Sequence, residues 1–304
     1  MADLPTRTEI PLRGIALLVA AFACFSCSDA ASKLLTQTLP ALEVAWIRFG
    51  VFVLVMTVLA AITGSSRKAF RSRRPGLQII RALGVFGSTA FFIMGLRYLP
   101  MAEATAITFV SPVYVTALSI PLLGETVGIR RWAAVFAGLV GVLIVVRPGT
   151  SAFDPSAFFP ITSSLFWAVT LIVTRKMSGA DGPLVALTYA AYVGFAATSL
   201  LVPFEWVTPG WHEIGIGLVT GVAATAAQWL VVLAFQHARA SVLAPFSYSQ
   251  MIWSTLLGFV IFGNLPDGWT IVGAVIIIAS GLYTAHRERI RSRVPAVQNL
   301  ASTK

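Results

Sequence analysis

Stretches of about 20 mainly apolar residues follow one another along the chain with short polar breaks between them, each long enough as a helix to cross a hydrocarbon core of roughly 30 Å. Ten such stretches are predicted as helices, at 14–36, 41–63, 77–96, 102–122, 131–147, 157–176, 183–203, 213–235, 241–262 and 267–285. Substantial polar character is confined to the first dozen residues, a linker at 64–76 and the tail after 285. No stretch is left over for a soluble domain, so the pattern predicts an all-α membrane protein.

Composition agrees, with 57% hydrophobic and 11% charged residues against roughly 25% charged in an average soluble protein. A net charge of +10 would suggest nucleic acid in a soluble chain, but here its placement follows the membrane. With an internal N-terminus, roughly 18 of the 22 Lys and Arg fall on one side: Arg7, Arg13, the cluster RKAFRSRR at 67–74, Arg81, Arg130, Arg131, Arg175, Lys176, Arg239 and the tail HRERIRSR at 286–293. Such an excess marks the cytoplasmic face and puts both termini there. The opposite loops carry Glu43, Asp154, Glu205, Glu213 and Asp267, with Trp206, Trp211 and Trp269 where an interfacial belt is expected. The basic clusters read as topology markers or contacts to anionic headgroups rather than as a nucleic-acid surface. The first apolar stretch is longer than a usual signal-peptide core and has a counterpart later in the chain, so it reads as a span.

That counterpart belongs to a weak internal repeat. A shift of 143 places Lys33 on Lys176 and Pro40 on Pro183; a shift of 139 places Ala102 on Ser241, Thr108 on Ser247 and Gly124 on Gly263; a shift of 135 places Gly138 on Gly273. Each half, 1–150 and 151–304, then holds five spans. Because five is odd, the second half must enter the bilayer from the other side, the inverted-topology arrangement in which transporters enclose a site near the midplane.

Three stretches, PALEVAWIRFG at 40–50, ATAITFVSPVYVTALSIPLLGE at 104–125 and RRWAAVFAGLVGVLIVVRPG at 130–149, resemble the ten-helix EamA-type members of the drug/metabolite transporter superfamily. The resemblance covers nearly all of residues 14–285. It implies two five-helix repeats around a central cavity and transport by alternating access. The second half departs from the first where Ala191 stands opposite Arg48 and Asn264 opposite Glu125, so any role of those charges is not duplicated.

Candidate chemistry concentrates where polar residues interrupt apolar spans. Proline inside a helix costs about 3 kcal/mol in water, and in a bilayer broken backbone is tolerated only against protein or a water-filled cavity. The fourth span carries Thr105, Thr108 and Pro112 at helical spacing on one face, and its repeat partner carries Pro245, Ser247, Tyr248 and Gln250. These two spans are expected to face each other across the pathway; the alternative is that the hydroxyls bond their own backbone and join helices. Gln228 lies deep in the eighth span beside Trp229, where an unpaired amide costs several kcal/mol, and is expected to point inward. Trp167 and Trp253, far from either interface, could form an aromatic wall with Phe25, Phe86 and Phe109 for ring-bearing or cationic solutes, or could simply pack. Asp29 and Lys33, four apart, could pair on one helix face. Together with Arg48 they could meet a substrate carboxylate, or Asp29 could carry a proton; mutual pairing near the span ends is the structural alternative.

Other chemistry is sparse. Cys24 and Cys27 sit in an apolar helix with no further cysteine, which predicts packing rather than metal binding or redox work. There is no GxxxxGK phosphate loop. Small-residue pairs Gly84/Ser88, Gly138/Gly141 and Gly217/Gly221 predict close helix contacts. The expected protein is a bacterial inner-membrane carrier, not an enzyme, with no cofactor, no metal, no nucleic-acid partner and activity as a monomer in the lipid bilayer. Resemblance to bacterial aromatic amino-acid exporters implies export of aromatic or other apolar amino acids. A multidrug or nucleoside carrier of the same fold is the alternative, and an intramembrane lipid-modifying enzyme a more distant one.

Overall fold

A computed structural model describes residues 12–125, 127–150, 153–177, 180–238 and 240–291, with side chains excepted at 66, 67, 130, 131, 240, 241 and 285–291. Arg7, Arg239 and Arg293, and both termini, lie outside the described residues, as do the side chains of several other basic positions expected on the cytoplasmic face. The described residues form helices and no strand: α1 Leu12–Leu35, α2 Ala41–Ile62, α3 Ser66–Ala69, α4 Pro75–Tyr98, α5 Met101–Thr108, α6 Ser111–Leu123, α7 Ile129–Val146, α8 Phe158–Lys176, α9 Pro183–Leu201, α10 Trp211–His237, α11 Ala240–Leu243, α12 Ser249–Phe262 and α13 Gly268–Arg291. Seven stretches among them are long and apolar enough to span a bilayer, with shorter apolar helices at Trp132–Val146 and Gly268–Thr284.

Local chemistry fixes the boundaries. Pro75 and Pro183 open α4 and α9, where the missing N–H costs nothing. Gly124 and Gly263 close α6 and α12 in the left-handed conformation that glycine adopts without a Cβ clash. The expected fourth and ninth spans are each interrupted. Helix α5 ends at Thr108, and Pro112 sits in the first turn of α6, so proline here starts a helix rather than kinking one. The expected face of Thr105, Thr108 and Pro112 is therefore split by the break. In the ninth stretch, the 3-10 turn Ala244–Tyr248 joins α11 to α12.

Packing is built on small residues. Helix α1 lies along α10, with Gly14 against Ala234 and Ala238. Helix α4 lies along α8, with Gly84 at Thr170, Gly87 at the Phe166 ring and Gly95 at Pro160. Helix α7 lies along α13 through Gly138, Gly141 and Gly273. Helix α2 packs on α9, where Gly194 meets Phe49, and on α10, where Gly217 and Gly221 meet Ile47 and Val51. A side chain at any of these glycines would collide, so each lets two backbones approach closely enough for dispersion to hold them. Ser88 adds a hydrogen bond to Ser163 at 3.2 Å. Helices α1 and α12 are also in contact, as are α8 and α6.

Polar ties close both ends of the bundle. At the end where α1 finishes, Lys33 Nζ donates to the carbonyls of Leu96 (2.7 Å) and Leu99 (2.6 Å) and lies over the Phe262 ring. It thereby caps the C-terminus of α4, where a cation also meets the negative end of the helix dipole. Arg147, itself left-handed at φ 51°, pairs with Asp267 at 2.7 Å, and Val207 N–H donates to Glu43. At the opposite end Asp181 accepts from Ser72, from the Arg73 backbone and from Gln78, tying the 70–78 segment to the α8–α9 turn. Burial pushes the Asp181 carboxyl up, but those hydrogen bonds and the Arg73 charge outweigh it and hold the group below the usual carboxylate range.

Lys33→Met leaves two helix-end carbonyls without their buried donor, so it should lower the melting temperature of the purified protein by the equivalent of about 1–3 kcal/mol. An unchanged melting curve in detergent would contradict the capping role.

Candidate functional site

Residues on an α-helix are about 100° apart, so the faces that pack show where the others point. On α8, Ser163, Phe166 and Thr170 face α4, while Ala168, Leu171 and Ile172 pack against Val115 and Leu118 of α6. Trp167 falls between these two stripes, on the side away from Leu165, and is 38% exposed. By helical spacing the indole points between α4 and α6. On α2, Ile47 and Val51 face α10, while Phe49 and Phe52 join the cluster with Val85 and Phe86 of α4. Arg48 points between α10 and α4 and reaches Asp29 of α1, Nη1 to Oδ1 at 3.3 Å. The two side chains are 12% and 7% exposed.

Depths follow from the same contacts. Ser28 Oγ donates to Thr220 O at 2.8 Å, and Ile47 and Val51 sit at Gly217 and Gly221, so Asp29 and Arg48 share a level. The contacts Phe49–Phe86 and Gly87–Phe166 put Trp167 within about one turn, roughly 5 Å, of that level. Gln228 is two turns past Gly221 on the α2-facing stripe of α10 and about 12 Å deeper than Thr220. It is half-buried, and among the described residues its amide has no hydrogen-bond partner. Phe109 and Tyr248 stack at 4.8 Å across the two chain breaks. Counting from Lys33 and Phe262, this stack lies roughly 15 Å below Asp29, near the level of Gln228. Tyr248 also seats on Gly281 of α13, where any side chain would collide with it.

The structure thus brings Asp29 and Trp167 to one level and Phe109, Tyr248 and Gln228 to another. Other candidates sit differently. Phe86 packs beside Phe49 in the cluster between α2, α4 and α9, with Trp229 alongside. Phe25 is half-buried beside Phe22. Thr105 is buried and its carbonyl accepts from Thr108 Oγ1 at 2.7 Å; Ser247 likewise donates to Ala244 O. Pro112 is exposed, and Pro245, Gln250 and Trp253 are half-buried. Cys24 and Cys27 are free thiols. Lys33 does not pair with Asp29: its ammonium is taken by the α4 carbonyls, and Asp29 pairs with Arg48 instead. Sequence reasoning named Arg48 as a charge that could meet a substrate carboxylate but did not pair it with Asp29; spacing along one helix carries no signal for that contact between spans.

A bundle of membrane-length apolar helices with an ion pair buried between α1 and α2 defines a multi-pass membrane protein. The chain belongs to the EamA-like transporter family, whose model matches residues 12–147 and 155–284. It is 28% identical over 279 residues to the S-adenosylmethionine uptake transporter of Rickettsia prowazekii, covering 91% of this chain and 94% of that one. It is 26% identical over 287 residues to the riboflavin transporter of Vibrio cholerae, covering 93% and 96%. It is also 26% identical over 274 residues to the pseudopaline exporter CntI of Pseudomonas aeruginosa, covering 88% and 94%. A solved crystal structure 19% identical in sequence superposes with a TM-score of 0.63 over 90% of this chain and 98% of its own, which is a likeness of fold. The relatives are named as transporters, not enzymes. Their names span uptake and export and several solutes, and aromatic amino-acid export is not among them.

Trp167→Ala and Gln228→Ala should each weaken transport at least several-fold while the amount of folded protein in the membrane is unchanged. Unaltered apparent affinity in both would remove these side chains from the solute path.

Proposed function

We propose that the protein is a ten-span carrier of a small ring-bearing metabolite, built as two inverted five-helix repeats that open alternately to either face. The observation that carries this reading is an exchange of packing partners between the halves. If α1, α2, α4, α5–α6 and α7 correspond to α8, α9, α10, α11–α12 and α13, then the pair α1–α10 becomes α8–α4, α2–α10 becomes α9–α4, and α1–α12 becomes α8–α6. The pairs α2–α9 and α7–α13 map onto themselves. Such a pattern is what a two-fold axis in the membrane plane produces. The two family matches, 12–147 and 155–284, fall on the same halves.

The solute class rests on Trp167, on the Phe109–Tyr248 stack and on the relatives. S-adenosylmethionine and riboflavin, named for two of them, each carry a fused planar ring, which an indole can stack against. An aromatic amino acid remains one member of this class, and the relatives give no support for singling it out or for fixing the direction as export. The reading also includes a bacterial inner membrane, cytoplasmic termini, the basic 67–74 segment on the cytoplasmic side, and a functional monomer.

Purified protein in liposomes should show saturable uptake and counterflow of at least one of labelled S-adenosylmethionine, riboflavin or tryptophan. Linear, non-saturating flux would indicate a channel, and no flux of any would overturn the solute class. Reporter fusions after residues 70 and 210 should report opposite compartments; the same compartment for both would break the inverted arrangement.

A further inference from the structure

Four cations are partly or wholly buried among the described residues, and three are committed. Lys33 is spent on the Leu96 and Leu99 carbonyls. Arg81 donates to Thr174 Oγ1 and to Ala186 O, both at 3.0 Å. Arg147 is held by Asp267 at 2.7 Å. Arg48 differs in the looseness of its tie: among the described residues one of the five N–H donors on its guanidinium meets an acceptor, and at 3.3 Å that contact is longer than the 2.7–2.9 Å usual for a charge-assisted bond. The other four N–H groups meet no acceptor among the described residues, and by the same helical counting Trp167 lies about one turn away in depth.

From this geometry we propose, resting on the reading of the protein as a carrier of ring-bearing metabolites, that Arg48 anchors an anionic group of the solute, such as a carboxylate, by exchanging it for Asp29, while the solute's ring lies against Trp167. The exchange creates no unpaired charge on the cation, because one carboxylate replaces another on the same guanidinium. A planar fork also takes a carboxylate through two parallel bonds, a better arrangement than its single long contact to Asp29. The displaced Asp29, 7% exposed at its side chain, takes up a proton as it leaves the guanidinium, so no buried charge is left unpaired. A buried ion pair is weak evidence for stability in its own right, since desolvation offsets much of its attraction; a pair that a ligand can enter has a reason to be there. The second half holds Ala191 at the corresponding position, so the anchor is single and fixes the solute's orientation along the pathway.

The test uses the full-length protein in detergent, with melting temperature read against indole-3-acetate, indole-3-acetamide and tryptamine. In the wild type, indole-3-acetate should stabilise at concentrations at least several-fold lower than its amide does. Asp29→Asn removes the competing carboxylate and should tighten indole-3-acetate a further three- to ten-fold while leaving the amide unchanged. Arg48→Gln alone strands Asp29, so the double variant Asp29→Asn/Arg48→Gln carries the complementary arm and should bind the acetate and the amide alike. Equal affinity for acetate and amide in the wild type, no gain in Asp29→Asn, or a retained preference in the double variant would each overturn the anchor. If the ring compounds bind without that preference, only the anchor fails; if none of the three shifts the melting curve, the ring-bearing solute class fails and the anchor with it.

Discussion

Backbone that leaves a helix halfway through a bilayer finds no water to accept its N–H and C=O groups, and each one left unpaired costs several kcal/mol. The chain does this twice, at residues 109–110 and at 244–248, and the rest of its architecture answers to those breaks. At the first, Phe109 N–H bonds Ala106 O, Val110 N–H bonds Ile107 O and Val113 N–H bonds Val110 O, so tightened three-residue turns carry the ladder across. At the second, the 3-10 turn Ala244–Tyr248 does the same. The turns save the hydrogen bonds, and Phe109 and Tyr248 stack across the two breaks.

The surrounding helices pack around this junction, Phe109 and Tyr248 lying against the apolar core of α5, α7, α12 and α13. Glycine contacts between α1 and α10, α4 and α8, and α7 and α13 bring those pairs together along their length, with bulky side chains displaced to either side. Polar ties fasten the two ends, with Lys33, Arg147–Asp267 and Glu43 at one end and the Asp181 clasp at the other, and fewer cross between the helices, as at Ser28–Thr220 and Ser88–Ser163. Close pairs fastened by end contacts would suit the proposed rocking of two halves against each other. Between them lies the Arg48–Asp29 pair, charges that lipid would not tolerate.

Much of this was legible in the sequence because a bilayer imposes a simple rule of length and hydrophobicity. The apolar stretches and the small-residue contacts follow from periodicity and from the need of membrane helices to approach closely. What periodicity could not supply was long-range partnership. Asp29 and Lys33, four apart on one helix, look like an ion pair, yet each is taken by something distant in sequence: Arg48 across to α2, and the Leu96 and Leu99 carbonyls at the end of α4. Likewise Pro112 announces a disturbance but misplaces it. The residue opens a new helix, and the break lies two to three residues earlier, where only tertiary contact with Tyr248 could have located it.

The central claim is an interior space, lined by Trp167, that water and solute reach from the membrane's two faces in turn. A cysteine placed at 167, with Cys24 and Cys27 replaced by serine, reports on it directly. The account predicts that a membrane-impermeant maleimide labels position 167 both in intact cells and in inverted vesicles, at different rates. Labelling by a lipid-soluble maleimide alone, with the impermeant reagent excluded from both sides, would place Trp167 against lipid and contradict the account.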